Sequence, residues 1–496
     1  MRFRGRGRSQ IGSITGAILV LLFAPLAVPG SIPELPSLTR VDEAVKSEMA
    51  RRRIPGLAYA VVRDGSVPTM NAFGLANLET GTPVRTTSVF EIASMTKPMT
   101  ATAVLLLVRQ GRVGLDDPIT KFIAGAPADW SAVTVRHLLT HTAGFPEEAI
   151  AEHEGSPLMD VSVRQQLDAI VRAPKLFAPG ESAQYSDPGY FLLGMIIEKA
   201  SGLRYADFMD RSIFKSLGMT ATHVLDQTRI VPGRAMPYSI REDDPSRLVR
   251  GRRDWQHALP SHFGVYSSIE DLMKWEAALA KGKLLPREVL EAMWTPARLA
   301  DGRKVLVYGA PYGFGWQVSD LRGRRLVEHG GYTGTHHLRY PDMGLSVIVL
   351  SNLDKASGNM PEMLARTIAG LVDPSVRPPH LLTPRDDGDP ALADLCRTAL
   401  SDIGAGRVPE SLAPAHREFF QGQPEAIRKG MAGIFLDIQS FQFLGRDDVG
   451  GGRVERLNTP VSTILYFRSA SRRGSRYFSF YLSAAGKIAY MSSYPY

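Results

Sequence analysis

The densest chemistry in this chain lies in Ala93-Ser94-Met95-Thr96-Lys97-Pro98. A serine hydroxyl is a weak nucleophile at neutral pH and needs a base beside it. If Ser94 opens a helix, Lys97 stands one turn further along the same face, so its amine can reach the serine oxygen. Burial can lower a lysine pKa until the neutral amine accepts a proton. The same helix N-terminus aims backbone N–H groups at the reacting centre, which suits an oxyanion. Pro98 lacks the N–H that would bond the Ser94 carbonyl and biases Lys97 away from helical dihedrals, so a loosened first turn is expected. The pattern arises cheaply, since Ser212-Ile213-Phe214-Lys215 also matches it. No apolar helix follows that second copy, so Ser94 is the expected nucleophile.

Two further stretches carry the same chemistry. Tyr185-Ser186-Asp187 lies in a loop before an apolar helix, and a phenol beside a lysine ammonium can be driven toward phenolate and relay protons. Glu328-His329-Gly330-Gly331-Tyr332-Thr333-Gly334 places glycines at a strand end, leaving a bare edge where a substrate carbonyl meets backbone N–H groups. His329 is expected to face the same cleft as Lys97. Each stretch has an ordinary reading when taken singly: a helix-capping serine, a turn with a half-buried tyrosine, a structural histidine. Rival chemistries find less support. No Gly-x-Ser-x-Gly elbow occurs in the chain. His137 and His141 stand four apart but lack a glutamate next to the first, so both are expected to be structural and no metal or cofactor is expected.

These groups need a scaffold. Val41 to Arg51 patterns as a helix, Gly56 to Arg63 as a buried strand, and Asp64-Gly65 as a turn returning the chain through Pro68 to Leu75. Helices are expected from Ser94 through Val108, over Thr134 to Thr142, Tyr190 to Ala200, Glu270 to Ala280 and Met360 to Val372. Between the last two, Tyr312 to Val318, Arg325 to His329, His337 to Tyr340 and Leu345 to Leu350 pattern as short strands. Strands at both ends of a helical segment imply one sheet assembled from distant pieces of chain.

The three motifs in this order resemble the signature of the serine β-lactamase and penicillin-binding superfamily. The spacing is similar to the class C branch: class C β-lactamases, D-alanyl-D-alanine carboxypeptidases, D-aminopeptidases and β-lactamase-like esterases. Leu115-Asp-Asp-Pro118, Arg136-His-Leu-Leu-Thr-His-Thr-Ala-Gly144, Leu192-Leu-Gly194 and Tyr312-Gly-Phe-Gly315 are similar as well. The resemblance covers about residues 38–373. It implies an α+β fold, an antiparallel sheet flanked by helices with an all-helical insert, the active site lying between them. It further implies Ser94 as nucleophile, Lys97 as general base and Tyr185 as the group handling the leaving-group proton. The backbone N–H groups of Ser94 and Tyr332 would form the oxyanion hole, with Asp187, His329, Gly330 and Gly331 meeting the substrate. Asp187 stands where β-lactamases commonly carry Asn, and His329-Gly330 where they carry Lys-Ser or Lys-Thr. Both departures favour a neutral ester, an amide or a peptide-like substrate over a penicillin. The presence of all three motifs argues against the remaining alternative, a non-catalytic ligand-binding or sensor protein that keeps the fold.

Around this core the chain of 496 residues has room for more than one domain. Residues 1–30 show a basic start (Arg2, Arg4, Arg6, Arg8) and an apolar stretch from Ile14 to Val28, the anatomy of a secretory signal peptide. Periplasmic or secreted localisation is expected, with membrane attachment only if the leader stays uncleaved. Those four arginines are half of the net +8, and no basic run follows, so nucleic acid is not an expected partner. The single Cys396 excludes an internal disulfide. The hydrolase domain is expected over 31–373, with 374–390 as a Pro-rich linker. Residues 391–496 resemble a small α+β domain of the nuclear-transport-factor-2-like kind, with two helices before three or four strands. The expected partner is a small or peptide-like substrate; oligomeric state is open.

Overall fold

Leu57, Tyr59 and Val61 alternate with Ala58 and Ala60 along one strand, and all five are buried. A strand apolar on both sides must be covered on both faces, and this one lies inside a seven-stranded sheet. In the computed structural model, residues 38–63, 69–149, 161–226, 228–251, 258–435, 438–449, 455–457, 459–471 and 474–495 are described. The leader, the Asp64-Gly65 turn and Pro68 fall outside them. The strands are β1 (Gly56–Arg63), β2 (Thr69–Asn77), β3 (Thr82–Pro83), β4 (Gln317–Leu321), β5 (Arg324–Gly331), β6 (Thr335–Tyr340) and β7 (Leu345–Ser351). Their order is β4-β5-β6-β7-β1-β2-β3, antiparallel throughout. Ala60 of β1 pairs with Ile348 of β7, so the two ends of the hydrolase region close one sheet, as the strand pattern predicts.

The two faces have separate cores. On one, Ala58, Ala60, Ile348 and Leu350 pack with the helical insert. On the other, Leu57, Tyr59, Val61, Val347 and Val349 pack under the helices α1 (Leu38–Arg52) and α5 (Pro361–Val372). Deepest in the insert is α2 (Thr96–Arg109), in which every residue from Thr96 to Leu105 is buried. A helix apolar nearly all round belongs in an interior. α3 (Asp187–Ser201) packs against it, and α4 (Ile269–Ala280) lies against the sheet. Pro98 is the third residue of α2, where its missing N–H needs no partner. The first turn is tightened rather than lost, as a 3₁₀ turn over Ala93–Met95.

Two expected elements are shorter than the patterns suggest. The helix over 134–142 spans only Val135–Leu139, because His141 takes φ of 60° and turns the chain. The strand over 312–318 begins at Gln317. Gly315, at φ of 78°, bends the preceding segment onto α2, where a Cβ would lie 3.0 Å from the Lys97 carbonyl oxygen.

The first part of the expected linker packs against α5, while residues 383–387 are exposed. Val376 and Pro379 are buried, and His380 Nε2 meets Thr367 Oγ1 of α5 at 2.7 Å. Beyond it come α6 (Pro390–Gly404), the unforeseen α7 (Pro414–Gln421) and α8 (Glu425–Phe435). Then β8 (Ser440–Asp448), β9 (Thr463–Ser471), β10 (Gly474–Leu482) and β11 (Ile488–Pro495) form an antiparallel sheet in that order. A register shift between Phe443 and Gly445 bends its first strand.

Candidate active site

Ser94 stands at the mouth of α2 on a strained elbow. Ala93 before it has φ of 45°, a left-handed conformation that costs a non-glycine residue on the order of 1 kcal/mol. The elbow is held from both sides. Ile92 N–H donates to the Val265 carbonyl at 3.0 Å. Thr335 Oγ1 donates to the Ile92 carbonyl at 3.1 Å and Thr333 Oγ1 to the Glu91 carbonyl at 2.7 Å. Gly331 allows this clasp, since a Cβ there would lie 2.3 Å from the Ile92 oxygen. The close approach of two backbones is therefore what the glycine serves. Past Glu328, β5 pairs with β6 alone, which is the bare edge the glycine pattern suggests. Ser94, Tyr332 and Gly330 all line one cleft of about 1310 Å³, together with Tyr185, Asp187 and His329.

Lys97 is fully buried, and its Nζ donates to Ser94 Oγ at 3.0 Å and to the His262 carbonyl at 2.9 Å. It also pairs with Asp187 Oδ1 at 2.6 Å. Burial depresses the Lys97 pKa, and the Asp187 carboxylate works against that depression. Burial works against the Asp187 charge, but Lys97, with His262 and His141 near it, outweighs that cost and Asp187 ionises more readily than usual. The carboxylate expected to greet a substrate is thus already engaged by the lysine.

Tyr185 lies beside them, with Lys97 Nζ 4.6 Å from its ring centroid. Its phenol is not driven toward phenolate. Burial first, then the Asp187 charge, push its pKa well above 10, with Ser94 pulling the other way. The lysine charge that would have favoured phenolate is matched by Asp187.

His329 is 5% exposed and has both ring nitrogens engaged. The Gly330 carbonyl, 2.8 Å from Nδ1, can only accept, so Nδ1 carries the proton and Nε2 accepts from the Tyr312 phenol at 3.1 Å. Burial, with Lys97 nearby, lowers its pKa to about 3. It is a neutral residue of the cleft wall.

The two other histidines brace backbone. His137 Nδ1 accepts from Thr134 N–H at 3.2 Å, closing the cap of the short helix. His141 grips the Tyr185 loop: its carbonyl accepts from Gln184 N–H at 3.1 Å and its Nδ1 from Ser186 N–H at 3.1 Å. Its ring lies 4.6 Å from that of Tyr185. The second Ser-x-x-Lys copy is not assembled. Lys215 is turned to solvent and paired with Asp210 at 2.6 Å. Among the described residues, no group of three or more His, Cys, Asp or Glu is placed to hold a metal ion.

The motifs gave no notice of two cleft residues. The Tyr308 phenol lies 3.3 Å from both carboxylate oxygens of Glu147, and its ring lies 5.2 Å from that of Tyr185. Burial and the nearby Asp187 raise the Glu147 pKa. The only local sign was an aromatic residue before a glycine in a stretch of short strands. Among the described residues, the cleft lining holds eight carboxylates against four cations, in a chain of net charge +8.

The chain has relatives among known proteins. Penicillin-binding protein 4* of Bacillus subtilis is 32% identical over 314 residues, 59% of this chain and 66% of that protein, so just under two thirds of its length is spanned. Esterase EstB of Burkholderia gladioli is 30% identical over 358 residues, 63% of this chain and 90% of the esterase. The octameric penicillin-binding protein homologue from Pyrococcus abyssi shares the fold with a TM-score of 0.59 at 23% identity, over 93% of this chain and 96% of that one. The family model described as Beta-lactamase matches residues 41–369, and the chain belongs to the Beta-lactamase family of serine hydrolases.

Proposed function

We propose that this protein hydrolyses esters, amides or peptide-like substrates through an acyl-enzyme on Ser94. The observation that carries this reading is the set of partners around Lys97. The His262 carbonyl and the Asp187 carboxylate can only accept hydrogen bonds. When Lys97 is neutral, its two N–H groups stay with them and its lone pair is left for the Ser94 hydroxyl.

In acylation the Ser94 proton passes to Lys97 as Oγ bonds the substrate carbonyl carbon. The backbone N–H groups of Ser94 and Tyr332 receive the oxyanion. The bond to the leaving group then breaks, and that group takes the Tyr185 phenolic proton. Lys97 returns its proton to the phenolate, leaving both groups as they began. Deacylation runs the sequence in reverse with water as nucleophile.

A substrate carboxylate at the reacting end would meet the neutral His329 and, whenever Lys97 is neutral, the uncompensated charge of Asp187. Like charges at close range in a partly dry cleft cost on the order of 1 kcal/mol or more. Neutral esters escape that cost, and amine-bearing substrates gain from the acidic walls. A cleft larger than the ~300–1,000 Å³ usual for small ligands suits an extended substrate. The likeness to penicillin-binding protein 4* keeps a β-lactamase or D-alanyl-D-alanine carboxypeptidase as the second reading. The basic-then-apolar leader supports export to the periplasm or medium.

The test pairs labelling with turnover. A fluorophosphonate should label the wild-type protein and the Ser212→Ala variant but not Ser94→Ala. Wild-type kcat/KM should be higher for a short-chain p-nitrophenyl ester than for a cephalosporin. Labelling that survives Ser94→Ala would refute the nucleophile, and preference for the cephalosporin would make the protein a β-lactamase proper.

A further inference from the structure

Two hairpins of the hydrolase region turn through pairs of left-handed residues. Tyr308 and Gly309 have φ of 50° and 76°, and Arg322 and Gly323 have φ of 54° and 72°. The first pair joins the two-residue strands Leu306–Val307 and Ala310–Pro311, and the second joins β4 to β5. Such turns favour Asn, Asp or Gly at the first position. A Tyr or Arg there is strained, and strain of this kind persists only where surroundings over-determine it.

At both tips the surroundings include the C-terminal sheet. Arg322 meets the two carboxylate oxygens of Asp447 at 2.8 and 2.9 Å and lies 5.7 Å from the Tyr466 ring centroid. Tyr466 donates to the same carboxylate at 2.7 Å. A Cβ on Gly323 would lie 3.4 Å from Val449 Cγ1. At the other tip, Tyr308 faces Glu147 and Tyr185 on the cleft side. A Cβ on Gly309 would lie 3.5 Å from the Tyr490 hydroxyl oxygen of β11. The Tyr490 ring is in turn set against Tyr481 and His416, with centroids at 5.9 and 5.7 Å. One short tip is therefore held between the tyrosine of the catalytic cluster and the C-terminal sheet.

We propose that Tyr490 is a positioning residue for substrate choice: it backs the Tyr308–Gly309 tip, which sets the outer wall of the cleft. The C-terminal region is then a specificity element of the site, not a tether. This inference rests on the hydrolase reading of the cleft. Without Tyr490 the strained tip relaxes outward, Tyr308 leaves Glu147, and longer acyl groups fit where the ring stood.

The test uses full-length protein and p-nitrophenyl acetate and decanoate. Tyr490→Ala should raise the decanoate-to-acetate ratio of kcat/KM about fivefold or more, through KM, with kcat on acetate little changed. Tyr308→Ala should give the same shift, and the double variant no more than the larger single shift, because both act on one wall. Tyr490→Phe, which keeps the ring against Tyr481 and His416 but removes the hydroxyl that meets the tip, should give a smaller shift in the same direction. Independently of activity, amide hydrogen exchange across residues 305–312 should quicken in Tyr490→Ala. A Tyr490→Ala protein that is folded by its thermal melt and unchanged in that exchange overturns the proposal. So does an unchanged substrate ratio beside a shifted one in Tyr308→Ala. Failure of the hydrolase reading looks different: no ester turnover in wild type, while the exchange result still reports on the tip.

Discussion

The hydrolase region and the C-terminal region are both helices on an antiparallel sheet, yet they fill their interiors differently. In the C-terminal sheet, Phe441 stacks on Phe467 at 4.4 Å, and Phe467 meets Phe480 edge-on at 5.8 Å. Among the described residues, the buried polar side chains of the C-terminal region are His416 on α7 and Ser469 and Ser479 on the sheet, and burial lowers the His416 pKa to about 4, so none is charged at neutral pH. The hydrolase region instead buries Lys97, Glu276, Glu328 and Arg339, each under 5% exposed.

Burying a charge costs several kcal/mol unless partners compensate it. Glu276 is compensated by His337 at 2.8 Å, Arg339 at 3.0 Å and Ser346 at 2.8 Å. Glu328, bonded to His336 and Arg366, has its pKa pulled down to about 2. Those two carboxylates serve the sheet. Lys97 is different in kind, because one of its partners is the Ser94 hydroxyl, the proposed nucleophile. The contrast teaches that buried charge alone does not mark a catalytic group; buried charge held against a nucleophile at a cleft does.

Kinetics should break the two regions apart. Lys97→Ala and Tyr185→Phe should each lower kcat on a neutral ester by about a hundredfold or more, the scale of general acid–base groups. The double variant should be little worse than the worse single one, since members of one proton relay are non-additive. Multiplicative losses would show that the two groups act separately.

A smaller effect sharpens the role of the Asp187–Lys97 pair. Asp187 raises the pKa of Lys97 and of Tyr185 alike. The base must be neutral and the acid protonated, so the rate rises through the first pKa and falls through the second. Asp187→Asn lowers both, and both limbs of the kcat/KM profile should move to lower pH. A profile that stays in place would mean that the carboxylate does not govern the lysine.

The smallest effect on chemistry should come from the C-terminal core. Phe467→Ala should cost about 3–5 kcal/mol of stability, as large aromatic truncations in cores do. Thermal or denaturant unfolding measures that loss. At a temperature where the variant remains folded, kcat on acetate should be close to wild type. A hundredfold loss there would place the C-terminal sheet inside the catalytic machinery.

Much of this was legible in the chain. Ser94 and Lys97 are neighbours on one helix start, so their meeting is a matter of local geometry. The apolar run in Gly56–Arg63 set a buried strand to the residue. Helix ends were less legible where backbone turned on tertiary contacts, as at His141, whose left-handed conformation stops a helix that the apolar pattern would continue. The C-terminal helix Pro414–Gln421 went unseen because its eight residues carry too short an apolar pattern.

Residue types, near-neighbour spacing and the resemblance carried by the three motifs together pointed to Ser94, Lys97 and the Tyr185 loop as the candidate site and to the kind of fold. Distances across the chain did not follow from them. Asp187 and Lys97 are ninety positions apart, and only the folded protein brings them to a 2.6 Å ion pair. Burial first, and the Asp187 charge after it, keep Tyr185 a phenol. Tyr308 and Glu147 meet across a still longer stretch of chain, by way of a turn whose strain no composition reveals. Protonation depends on burial and on the nearest charges, and both are properties of the packed chain, so the sequence names the reactive groups while the tertiary structure assigns their charge.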